Sequence, residues 1–589
     1  MGRLRWIIVC VVALVACNGG GGGGPYGSYP TPQPTFAPTA VPTGGCATAT
    51  AAPASGSAVF YLAPSCSTAN SVSGFTLAAD ANGTLVVAST VDESEPLAAG
   101  SVQGPPAGDT LTVSVTAGET TSAARRASGT TRGSAPFARR FAHVRRIANK
   151  KLAALTLGST RGVSGMTRRR SILPVTPGAS ATIATLNASG TYIGVPSTLE
   201  FQSGHGDIWV DNTLLAANGG PLSAASIQTI GGDYDNAWTA DTSAIGTPDY
   251  TASSAGAQET TGCTGSQTPI FIPDSDDRQA VFVISSASNG NFGSYFDPAN
   301  LVYENVASQC LAAQSNESSG MYLQWNVGSG ADSVTEQLQE DDVVLTANDL
   351  THLIYFAGQT IIDPGSIDNT FLQTGFVDTP FIEEGVASLS EDFAIQRMDP
   401  NLTFDVDDNL QSAQTYLANP SSYELTAFYG TDPGTSAAQG CDGCFGGAYL
   451  FARYAYDRFG PHYPTALVTS GLTGFTNLAN AFGATTSPQN VIGDFAVAMA
   501  ASGQGVTSDP RFNVAGFTTS GTFTDQFANS LTLTGPAAAA TQAVGTTVQY
   551  PENLGAFAYL GLSGLPASAT VKVTDTSGQF GLTAALDQH

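Results

Sequence analysis

The chain has 589 residues, room for several domains, with 42% hydrophobic residues but only 12% charged ones. Its formal net charge of −26 would repel phosphate, which excludes nucleic acid as a partner for the chain as a whole. Abundant Gly, Ser, Thr and Ala with few charges exclude an ordinary cytosolic helical protein and fit an exported, loop-rich, strand-containing one.

Residues 1–17 read as an export signal. Arg3 and Arg5 form a basic start, and Trp6 to Val15 is an apolar run too short to span a bilayer comfortably. The following "LVAC", Leu14 to Cys17, resembles the bacterial lipoprotein signal. That resemblance implies lipidation of Cys17 and a membrane anchor, at the outer membrane or the cell surface; an ordinary cleaved secretory signal is the alternative. Residues 18–45 are a Gly-rich stretch turning Pro-rich, a flexible tether that becomes a spacer.

Residues 46–120 contain the runs "SAVFYLA", "SGFTLAA", "GTLVVAST" and "DTLTVSVTAG", punctuated by Gly and Pro. They predict a small β-sandwich-like module. Residues 121–170 hold thirteen Lys or Arg and no Asp or Glu, whereas residues 171–589 hold six Lys or Arg against forty-one acids. The basic stretch has broken periodicity and reads as a linker, with dibasic cleavage or contact with an anionic surface as alternatives.

Residues 171–535 begin strand-rich ("STLEFQSGHGDIWVDNTL", "PIFIPDSDDRQAVFVISSA") and then turn helical. Helices are expected from Asp341 to Phe356, Phe381 to Arg397, Gly446 to Phe459 and about Tyr463 to Phe482. Leu350, Leu353, Ile354 and Ala357 recur at helical spacing, as do Leu450, Phe451, Tyr454 and Ala455. Strands followed by helices predict an α+β domain. Residues 536–589 are again strand-like and predict a C-terminal β module.

Cysteine usage fits export. With Cys10 in the signal and Cys17 lipidated, Cys46, Cys66, Cys263, Cys310, Cys441 and Cys444 remain, an even set suggesting disulfides. Proximity favours 46 with 66, 263 with 310 and 441 with 444, although six cysteines allow fifteen connectivities. "CDGC" (441–444) has a redox spacing, but no strand–helix–strand unit surrounds it, so a local structural disulfide is the expectation.

Five blocks occur in order: "GHGDIWVD" (204–211), "SNESSGMYLQW" (315–325), "LTANDLTHLIYF" (345–356), "PFIEEGVASLSEDFA" (380–394) and "CFGGAYLFARYAYDRFG" (444–460). Together they resemble the hyicolysin family of zinc metallopeptidases, which implies a zincin-like α+β domain flanked by all-β modules. The family carries HExxH on a helix, with a third ligand from a later Glu-Gly. The resemblance places His352 at the second zinc His and Glu384 at the third ligand. Asn348 stands at the first His, and Asp349 at the general base. No two of the five His (143, 205, 352, 462, 589) are four apart, so HExxH exists in no register.

A catalytic zinc takes three protein ligands and keeps a position for water. Asn348 offers only a neutral amide oxygen, better suited to a harder cation. An Asp349/His352/Glu384 set is geometrically conceivable, but it would consume the carboxylate needed as base. Zinc is therefore expected to be weak or absent. The reading is an exported, degenerate peptidase that binds a peptide, protein or surface polymer. The alternatives are an active metallo-endopeptidase with an altered site, and an acidic structural surface protein. Without metal, His352 is expected to bond a backbone carbonyl or a carboxylate such as Glu384, and Glu383 to be solvated. "DSDD" (274–277) and "DVDD" (405–408) lack the Gly and distal Glu of a calcium loop and read as acidic loops. His205 reads as a strand-end residue and His462 as a turn residue.

Overall fold

A computed structural model describes most of residues 173–537, together with strands inside 71–116, 157–159 and 540–588. The signal with Cys17, the 18–45 tether, most of the 121–170 linker, Cys46, Cys66, Cys263 and both acidic loops lie outside the described residues.

The central region is α+β. Its six-stranded sheet is built from β1 (Ser180–Leu186), β2 (Tyr192–Gln202), β3 (Gly206–Asp211), β4 (Gln279–Ser285), β5 (Tyr295–Phe296) and β6 (Gly320–Trp325). The spatial order is β5-β6-β4-β3-β2-β1. β4 runs parallel to both β3 and β6, while β5, β2 and β1 each run antiparallel to their neighbours. The parallel centre is apolar on both faces, as expected of strands covered from two sides. In β4, Val281 and Val283 join the large core shared with the helices, while Ala280, Phe282 and Ile284 join a second core on the other face.

The helices are α1 (Ala224–Ala244), α2 (Asp342–Phe356), α3 (Pro380–Met398), α4 (Asn409–Ala418), α5 (Asp442–Phe459), α6 (His462–Thr469), α7 (Gly474–Phe482) and α8 (Pro488–Ala501). The "LTANDLTHLIYF" helix is α2. Its Leu350, Leu353 and Ile354 are fully buried, and Phe356 packs on Phe271 and on Phe296 of β5. A π-helical turn, Ala357–Ile361, continues it. The single helix expected over 463–482 is two, α6 and α7. Gly471 and Gly474, both at positive φ, carry the chain through the break.

Two differences from the sequence reading stand out. The longest helix, α1, lies in the part read as strand-rich. Its apolar stripe is interrupted by Gly231, Gly232, Asp233 and Asp241, so periodicity does not announce it. Gly231 has a packing reason: a Cβ there would sit 2.7 Å from the Phe201 ring of β2. The second difference is strand partnership. Strands 71–76 and 109–116 share a four-stranded sheet with 547–552 and 570–575, and strand 81–88 lies between 557–565 and 583–588 in another. The N-terminal and C-terminal β segments thus interleave. The Tyr559 hydroxyl donates to Ala496 O of α8, joining these strands to the helical region.

Candidate functional site

α2 and α3 pass one another with polar faces in contact. His352 is 1% exposed, and its Nδ1 lies 2.8 Å from Glu383 Oε1. The other Glu383 oxygen accepts from the backbone N–H groups of Val377 (3.2 Å) and Asp378 (3.4 Å). The direction of this hydrogen bond depends on which ring nitrogen carries the proton. On the opposite side of the ring, Nε2 is 3.5 Å from Glu384 Oε2. One turn earlier on α2, Asn348 Nδ2 donates to Glu391 Oε1 at 2.6 Å. Ascending α2 from 348 to 352 means descending α3 from 391 to 383, so the helices are antiparallel at the site.

Glu383 is therefore not solvated. It is 2% exposed, close to Glu384 also at 2%. Burial is tolerated because His352 and two backbone amides meet its oxygens; a carboxylate without such donors would be strongly disfavoured there. The expectation that His352 would bond a carboxylate holds for its ring, but the hydrogen-bonded partner is Glu383, with Glu384 on the far nitrogen.

Asp349 is 3% exposed and on the sheet side of α2. Burial, and then Asp297, dominate a large upward shift of the Tyr295 phenol on β5, to which Asp349 also contributes. Behind α2, Thr351 Oγ1 donates to Asp241 Oδ2 of α1 at 3.3 Å. Burial holds the Asp241 carboxyl well above the usual range, against that hydrogen bond. Before α3, Asp378 accepts from Thr379 N, Gly474 N and Asn477 Nδ2 at 2.6–2.7 Å. Burial still pushes its carboxyl up to about 7, because removing a carboxylate from water outweighs those bonds. Further along α3, Asp392 accepts from the Tyr449 hydroxyl (2.8 Å) and Arg453 (3.2 Å), both on α5.

Zinc, the metal implied by the resemblance, can be tested against these donors. His352 Nε2 and Glu384 Oε2 are spaced so that one ion could touch both. Glu383 on Nδ1 is the kind of outer partner that orients a ligating imidazole. At the third position Asn348 gives its amide N–H to Glu391, and the donor it keeps is a neutral oxygen, poorly matched to zinc. Among the described residues no group of three or more His, Cys, Asp or Glu is arranged around a common ion position. His352 and Glu384 are the two donors here whose chemistry suits zinc.

The other sequence candidates lie apart. His205, in the β2–β3 turn, stacks on Trp238 of α1 with ring centroids 4.9 Å apart. Asp235 accepts from Ser203 Oγ, Gly204 N and His205 N, which pins that turn. His462 begins α6 and is exposed. Cys441 and Cys444 are bonded to each other. Cys310 is also in a disulfide, with its partner outside the described residues. No described helix is long and apolar enough to cross a membrane.

Glu391 and Asp241 were not anticipated from sequence. Glu391 follows Glu384 by seven residues, two turns along one face, so helical spacing alone could have nominated it. Asp241 carries no such signal, because the α1–α2 contact is set only by packing. No family model matches the chain, and no curated protein matches it significantly.

Proposed function

We propose that this chain is an exported lipoprotein whose central domain follows the zincin-like plan and acts by binding a peptide, protein or surface polymer, without efficient metal-dependent hydrolysis. The observation that carries this reading is the Asn348–Glu391 pair. Glu391 stands where an outer carboxylate would orient an imidazole at position 348, as Glu383 does for His352. A carboxylate beside both positions 348 and 352 supports a two-His frame in which one position holds an amide. Asp349, one methylene shorter than Glu, would also draw a base back from a water, and a displacement of about 1 Å can cost about 100-fold in rate.

The active metallo-endopeptidase alternative keeps one point in its favour, the 3.5 Å approach of His352 Nε2 and Glu384 Oε2. Elemental analysis of the purified chain, paired with casein hydrolysis with and without chelator, separates the two. The expected result is substoichiometric zinc and no chelator-sensitive cleavage. Stoichiometric zinc with chelator-sensitive cleavage overturns the proposal. The double substitution Asn348→His with Asp349→Glu should raise zinc toward one per chain; if it does not, the zincin frame is misassigned.

A further inference from the structure

Cys441 and Cys444 sit at the start of α5, the helix whose Tyr449 and Arg453 hold Asp392. Cys441 is the N-cap residue and Cys444 the third helical residue. Cys444 is 4% exposed and belongs to the core; Cys441 is half-buried and packs against the same core. The backbone N–H groups of Cys444 and Phe445 both turn to Cys441 O, at 2.9 and 3.4 Å. The bond bridges only two residues, so it restrains little of the unfolded chain's entropy, which grows with the logarithm of loop length. Nor does the helix start depend on it alone. Gly443 is pressed so closely on the Tyr423 ring that a Cβ would lie 2.2 Å from it. The pair thus combines modest stabilisation, one half-buried cysteine, one core cysteine, and a place at the start of an 18-residue helix.

We propose that Cys441–Cys444 is an exchange-competent disulfide that takes electrons from a protein dithiol, with Cys441 as the sulfur attacked. A partner thiolate attacks Cys441 Sγ. The Cys441–Cys444 bond breaks, and Cys444 leaves as a thiolate in the first turn of the helix, where the positive end of the helix dipole favours it. The partner's second thiolate then attacks its own sulfur in the mixed disulfide and releases Cys441. Two electrons pass to the pair. The two protons given up by the partner dithiol end on Cys441 and Cys444, and the partner leaves as a disulfide. Asp442, in the same first turn, opposes thiolate formation and so moderates the exchange. This inference does not rest on the proposed function.

The test uses the full chain and the Cys310 disulfide as an internal standard. The protein is equilibrated in glutathione buffers of increasing reducing strength and alkylated, and the cysteine peptides are weighed. Cys441–Cys444 is expected to open at a glutathione ratio about 10-fold or more less reducing than the Cys310 bond, as exchange-competent disulfides do relative to structural ones. In Cys444→Ser, the freed Cys441 thiol should exchange with oxidised glutathione, forming a mixed disulfide and releasing one reduced glutathione. Asp442→Asn added to it should speed Cys441 alkylation about 3-fold by removing a nearby negative charge. Opening of both bonds together, or of the Cys310 bond first, overturns the proposal. If Cys444→Ser does not fold, the unmodified chain's titration decides alone.

Discussion

Acid is buried in two ways along α3. Toward α5, Asp392 meets a cation: Arg453 reaches it at 3.2 Å and holds Asp457 at 2.9 Å, and Arg458 similarly pairs with Asp494 at 2.8 Å. Toward α2, one imidazole stands between Glu383 and Glu384, and an amide meets Glu391. Nearby, Asp378 and Asp241 keep raised carboxyls because burial outweighs their hydrogen bonds. The α5 side is a satisfied ion-pair belt suited to rigidity. On the α2 side the partners of the carboxylates are an imidazole and an amide where the α5 side has guanidinium groups.

The largest effect should come from Arg453→Met. It leaves Asp392 and Asp457 facing a buried apolar side chain, and removing one partner of a buried pair costs about 3–5 kcal/mol. Urea unfolding at pH 7 measures it, and a loss below about 1 kcal/mol would dissolve the contrast between the two sides. His352→Ala should cost about 2–4 kcal/mol by the same assay, since it removes the group between two buried carboxylates and leaves a cavity. A gain in stability would mean that the ring is not what holds Glu383 and Glu384.

Gly385→Ala probes the place where both sides meet. Its Cβ would lie 2.7 Å from Ala448 O and 3.2 Å from Ala452 Cβ, so α3 and α5 must separate. Overpacking of this kind costs about 1–3 kcal/mol, and a neutral result would show the contact to be loose. The most gradual effect concerns pH. Burial raises the Asp233 carboxyl on α1 to about 7, from an ordinary 3.8. The folded chain then holds a proton that the unfolded chain has released, so this group's contribution to stability is full below about 4 and falls as pH rises toward 7. The slope is at most about 1.4 kcal/mol per pH unit for this group. Asp233→Asn should flatten that slope and leave stability near pH 4 almost unchanged; parallel pH profiles for the two proteins would contradict it.

Much of the fold was readable because its signals are local. Leu350, Leu353 and Ile354 repeat at helical spacing, and "QAVFVIS" is a continuous apolar run, so α2 and β4 follow from periodicity. α1 does not, because Gly231 and Gly232 interrupt its pattern for the sake of close packing against Phe201. Site residues divide the same way. Asn348, Asp349 and His352 share one helix, and their relation is written in their spacing. Glu383 was read as solvated because nothing local distinguishes it from Glu384. Only the direction in which α3 crosses α2 turns Glu383 onto His352 Nδ1 and Glu384 onto Nε2.

By itself, then, the sequence determined the α+β class, the helix that carries the candidate site and the absence of HExxH, and it favoured the pairing of Cys441 with Cys444, since each depends on residues a few positions apart. Tertiary structure decided which carboxylates meet His352 and Asn348, how buried acid is compensated on the two sides of α3, and that strands from both ends of the chain share sheets. Those contacts join residues far apart in sequence, and only packing chooses among partners whose local chemistry is alike.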